Sequence, residues 1–106
     1  MDGAAVVAAF AEFEAARDAL AALPVESLSA AQTLEVIELR ERVHRRDQAI
    51  DHALIARLID QANPRDWGAT SVKKLLTGRL RISENDAADR LSDARQLGPR
   101  YSLTGE

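Results

Sequence analysis

The residues with the most evident chemical potential are Glu41 and His44, a Glu-x-x-His step near the middle of the chain. Residues three apart share a helix face, and di-iron bundles hold their metals with two such steps plus two further inward glutamates. Only one step is present, because His52 has no carboxylate three residues before it. The pair therefore reads as part of a polar helix flank, and no metal site is expected. Asp47 and Asp51, one turn apart, come next, since paired carboxylates can divide acid and base work. They stand among Arg42, Arg45, Arg46 and Arg57. Glu38–Arg42 and Glu41–Arg45 have the Glu-first i,i+4 order that stabilises an exposed helix. That pattern is a solvated face. No Gly-x-Ser-x-Gly elbow, phosphate loop or glycine-rich fingerprint appears. With no cysteine there is no thiol nucleophile, thiolate ligand or disulfide. The chain reads as a non-enzyme with no cofactor and no small-molecule substrate.

Outside Arg40 to Arg46, one window is strongly basic. Between residues 65 and 81, Arg65, Lys73, Lys74, Arg79 and Arg81 face a single acid, Asp66, in a chain of net charge -3. Lys73, Lys74, Arg79 and Arg81 are the candidate DNA contacts, to phosphate rather than to base edges. The segment that follows has the outline of the second helix of a helix-turn-helix. It carries Glu84, Asp86, Asp89 and Asp93 against Arg90 and Arg95, however, and its acidic start would repel phosphate. Trp67, beside a turn, is expected to anchor that loop onto the core rather than stack a base.

The elements that must position these residues are helical. Alanine is the commonest apolar residue and aromatics are 4% of the chain, a composition that favours helices in close contact. The spacing predicts a first helix over about 4–23, stopped by Pro24. Ser29 and Gln32 have capping-box spacing at the start of a second helix with no Gly or Pro before Pro64. Val36, Val43 and Ile50 recur every seven residues along it, then Leu54, Leu58 and Ala62 shift the stripe. Such a pattern suits pairing with another long helix, either the first helix or a second copy of the chain. Asn63 to Gly68 is a turn, and 69–80 reads as a short helix with Val72, Leu75 and Leu76 on one side. Ser83 caps a last helix that reaches Leu97, with Ala87, Leu91, Ala94 and Ala88 inward, and Gly98-Pro99 ends it. The expected fold is all-α. It is a single domain of about four helices, with one long central helix (29–63), a C-terminal helix-turn-helix-like pair (69–97) and a tail (98–106). A cytoplasmic location suits the absence of cysteine. The first thirteen residues lack the basic start of a signal peptide, and no apolar run is long enough to span a bilayer.

Leu80-Arg81-Ile82-Ser83, Ala87, Arg90-Leu91 and Ala94, then Leu97-Gly98-Pro99-Arg100 and Leu103-Thr104-Gly105-Glu106, carry a resemblance. They are similar to the actinobacterial 13E12 repeat family, whose N-terminal region is domain of unknown function 222. His52 to Ile55, Leu58, Gln61-Ala62, Pro64 and Gly68 resemble that family's long helix and its exit. The resemblance runs from about residue 29 to the end, while 1–28 match only as an alanine-rich helix. Asp89 departs from it, where relatives often have a basic residue. Members commonly continue into an HNH nuclease domain, and Leu-Thr-Gly-Glu looks like the point of continuation. The resemblance thus implies a DNA-associated accessory domain with no nuclease residues of its own. The competing expectation is a protein-interaction or self-association module built on the long helix, giving a homo-oligomer with no nucleic-acid role.

Overall fold

The structure, a computed structural model, describes residues 2–99. Four α-helices follow one another: α1 (Gly3–Ala21), α2 (Ala30–Gln61), α3 (Val72–Leu80) and α4 (Glu84–Leu97). Short 3-10 turns lie at Val25–Ser27 and Pro64–Trp67, and there is no strand among the described residues. The chain is all-α with one long central helix, as its patterning predicts. The 32 residues of α2 extend about 48 Å at 1.5 Å per residue. Residues beyond Pro99, which include most of the expected tail, lie outside the described residues. The backbone groups into two compact units, Met1–Leu39 and Arg40–Glu106, and α2 contributes to both.

In the first unit, local hydrogen bonds set the helix ends. Asp2 caps α1, its carboxylate accepting from the Ala4 N–H at 3.0 Å. The helix stops at Ala21, two residues earlier than the spacing predicts, because the residue before Pro24 is disfavoured from helical geometry. The predicted capping box opens α2: Gln32 N–H donates to Ser29 Oγ at 3.1 Å, and Ser29 N–H donates to Gln32 Oε1 at 3.0 Å. No described side chain of this unit is buried; Leu28 and Val36 are the two that are half-buried.

The second unit holds the core. Leu76, Ala87 and Leu91 are its centre, with Ile55, Leu58, Ile59, Val72 and Ile82 packed around them. Ala56, Leu75 and Ala94 are buried as well. Small residues line the place where α4 meets α2. A Cβ on Gly98 would lie 2.5 Å from the Ala94 carbonyl oxygen, 2.9 Å from that of His52 and 3.2 Å from the Ala56 methyl. The face of α2 beside this contact is the inward one. Ile55, Ala56 and Ile59 take the place the spacing gave to Leu54, which is 60% exposed, while Leu58 packs as expected. On α4, Ala87, Leu91 and Ala94 are inward as predicted and Ala88 is exposed.

The connections follow from turn chemistry. Asn63 Oδ1 accepts the Arg65 N–H at 3.2 Å, and Gly68 takes the left-handed conformation (φ 75°) that lets the chain leave the turn. The third helix begins at Val72 rather than Ala69, because the Ser71 hydroxyl accepts the Lys74 N–H at 3.1 Å. Trp67, expected as an anchor, is 50% exposed on the 3-10 turn. Gly98→Ala is therefore expected to destabilise the protein by roughly 1–3 kcal/mol, since backbone atoms meet the new methyl. Gly78→Ala, inside α3 with open space around it, is expected to stabilise by about 0.5–1 kcal/mol. Urea unfolding of the two variants checks the contrast.

Candidate functional site

The four basic candidates sit on and just beyond α3. Lys73 is half-buried, whereas Lys74, Arg79 and Arg81 are exposed. Lys74 is already engaged: its ammonium donates to the Glu84 carboxylate at the start of α4. That hydrogen bond, with the charges of Lys74 and then Lys73, holds the Glu84 carboxyl below its ordinary range. Six residues separate Lys73 from Arg79, which sets them about 120° apart around a helix of 3.6 residues per turn. Lys74 and Arg79 are about 140° apart by the same geometry. The four cations therefore do not share one face of α3. Arg79 lies in the last turn, where a cation complements the helix dipole. Arg81, its C-cap, is the one non-glycine residue with positive φ among the described residues (φ 56°, ψ 47°). Nothing in its type signals that conformation; the tight turn into α4 imposes it.

The start of α4 has the electrostatics of a closed helix end. Ser83 Oγ accepts the Asp86 N–H at 3.0 Å, and Glu84 and Asp86 place negative charge on the first turn. Asp86 is also clamped by Arg90, whose Nε and Nη2 donate at 2.8 and 3.2 Å. This hydrogen bond raises the Arg90 pKa further, with the charges of Asp86 and Asp51 adding to it. An anion approaching this helix end meets carboxylates that already satisfy it.

The other candidates fall on exposed helix. Glu41 pairs with Arg45 at 3.3 Å, and His44 lies 3.4 Å from the Gln48 amide, so the Glu-x-x-His step makes only local contacts. Among the described residues no three His, Cys, Asp or Glu side chains stand close enough to hold a metal ion. No described helix is long and apolar enough to cross a membrane.

A second surface belongs to the first unit. Val7 is 70% exposed, Phe10 59% and Phe13 51%, and Leu34 and Ile37 on α2 are exposed too. Seven acids against Arg17 alone give residues 1–39 a formal charge of -6, and thirteen bases against ten acids give residues 40–106 +3. The apolar surface of α1 is thus set in acid, while the excess of base follows it in the chain. A reading fixed on the basic window passes over this surface. Its signal is the seven-residue recurrence of Val6, Phe13 and Leu20, the same spacing as Val36, Val43 and Ile50.

Residues 34–106 match the model of a family described as domain of unknown function DUF222. The chain belongs to the DUF222 family. It is 41% identical over 101 residues to the uncharacterized protein Rv3466 of Mycobacterium tuberculosis (strain ATCC 25618 / H37Rv), covering 95% of this chain and 45% of that protein. It is 40% identical over 101 residues to the uncharacterized protein Mb1614c of Mycobacterium bovis (strain ATCC BAA-935 / AF2122/97), with the same two coverages. The DUF222 chain thus spans about half the length of these curated relatives. No solved structure matches it significantly. The matched region contains the whole helical core and the Lys74–Glu84 contact. Because that contact lowers the Glu84 pKa, it contributes above the ordinary glutamate range and is lost as pH falls through the depressed value. By NMR, Glu84 is expected to titrate below the ordinary glutamate range. Lys74→Met is expected to return it to the ordinary range, and an unmoved midpoint would contradict the contact.

Proposed function

We propose that this DUF222 chain is a non-catalytic helical module that associates with a second copy of itself. One observation carries the reading: the first unit buries none of its described side chains, yet it exposes Val7, Phe10, Phe13, Leu34 and Ile37. Large apolar side chains left exposed together on one helix, as Val7, Phe10 and Phe13 are on α1, mark an interaction site. The opposite formal charges of residues 1–39 and 40–106 favour a copy of the same chain as the partner, since each copy brings both halves of a complementary pair.

A second reading is DNA association, as an accessory domain of a protein of the 13E12 and HNH-nuclease type. It is favoured by the +3 balance of residues 40–106 and by the exposure of Arg79 and Arg81. Lys73, Arg79 and Arg81 would contact phosphate, and Lys74 would have to leave Glu84 to join them. Contacts of this class position a protein on duplex without reading sequence. The helix-turn-helix-like outline of α3 and α4 supports the reading in shape, and the acids at the start of α4 oppose it in charge.

Sedimentation over a wide concentration range separates the two. Self-association predicts that the 11.6 kDa chain rises toward twice its mass and that Phe10→Ser with Phe13→Ser returns it to monomer. The DNA reading predicts that random duplex added at low salt co-sediments. Binding should then weaken with salt and with Lys73, Arg79 and Arg81 changed to alanine. A mass that stays monomeric at every concentration overturns the first reading, and duplex that sediments alone overturns the second.

A further inference from the structure

We infer that the two copies exchange their first helices, α1 of one lying parallel to α2 of the other with a register offset of thirty residues. The inference rests on the self-association reading and specifies its contact. Both helices carry apolar residues every seven positions, Val6, Phe13 and Leu20 on α1 and Val36, Val43 and Ile50 on α2. Of these, Phe13, Leu20, Val43 and Ile50 are about half exposed. Seven-residue repeats are the pattern by which two helices keep one seam in contact. An offset of thirty brings all three pairs level at once.

Charges inside the seam choose the direction. Between the apolar levels, four residues on from Phe13 and from Val43, stand Arg17 and Asp47. Neither has an ion-pair partner among the described residues. The parallel offset sets Arg17 against Asp47 and lays Phe10 against Arg40, where a guanidinium can stack on the ring. The antiparallel arrangement also matches three apolar pairs, Val6 with Ile50, Phe13 with Val43 and Leu20 with Val36. It places Arg17 beside Arg40 instead, a like-charge contact. A polar pair within an apolar seam fixes register and direction in this way.

The parallel direction also requires a second molecule. Within one chain, the offset sets Ala21 level with Asp51, so the link to Ala30 would have to run back along about 21 residues of α2, about 32 Å. Eight linking residues reach roughly 26–29 Å only when fully extended, and Val25–Ser27 is coiled into a 3-10 turn. Two such contacts, one in each direction, close a two-fold dimer.

Charge reversal with mixing tests this. Arg17→Asp alone and Asp47→Arg alone each set like charges against one another at both contacts. Each is expected to weaken the dimer roughly tenfold or more in sedimentation. Mixing the two variants creates a heterodimer in which both contacts pair opposite charges, and dimer is expected to return to the wild-type level. A contact within one chain cannot be rescued by mixing. Wild-type protein that stays monomeric overturns the self-association reading itself. A wild-type dimer that tolerates either reversal, or that mixing does not restore, overturns the register and leaves self-association standing. The rescue also shows that both single variants fold.

Discussion

The close approach of Gly98, the residue that ends α4, to α2 is the tightest steric constraint in the second unit. There the chain comes so near the carbonyl of His52 and the methyl of Ala56 that no side chain fits between them. The buried Ala56 and Ala94 border this approach, and Ile55 and Ile59 pack against the core of Leu76, Ala87 and Leu91. Small side chains permit such an approach, because dispersion contacts between close helices replace those of large side chains. It also sets a limit. Small residues build a core only where helices nearly touch, and that condition is met in the second unit alone.

The first unit shows the other side of that limit. Most of a helix's stability in a protein comes from packing of its apolar face, and the nineteen-residue α1 buries none of its side chains. Two phenylalanines on an exposed helix need a surface to complete them, and the acids around them restrict which surface that can be. The basic residues of the second unit gain a new meaning from this. Read as a local basic window they point toward phosphate; in a chain whose charge is segregated, they answer the acidic unit of another copy equally well. Lys74 spent on Glu84, and Arg90 spent on Asp86, show how much of the local charge is consumed within the helical pair.

Much of the fold was legible in the sequence because the signals were local. Ser29 with Gln32, Asn63 to Gly68 and Ser83 each announce a helix end through hydrogen bonds that reach only a few residues. The inward face of α2 was less legible: Leu54 and Ile55 are equally apolar, and Ile55 packs against Leu76, Ala87 and Leu91, which lie more than twenty residues away in sequence. Trp67 was misread for the same reason, since its burial depends on a surface that local pattern does not describe. Arg81 carries no mark of its left-handed conformation, which belongs to the turn. The DUF222 resemblance was readable from about residue 29 onward and the apolar stripe of α1 in the recurrence of Val6, Phe13 and Leu20, whereas the exposure of Phe10 and Phe13 depends on packing that local pattern does not describe.

That α1 owes its stability to association is the claim nearest the physics, and amide hydrogen exchange measures it directly. Exchange in residues 3–21 should slow several-fold as protein concentration rises, while the amides of α4 around Leu91 remain equally protected throughout. Protection of α1 as strong as that of α4 at every concentration would contradict the claim, because the first helix would then be held by something other than a second copy.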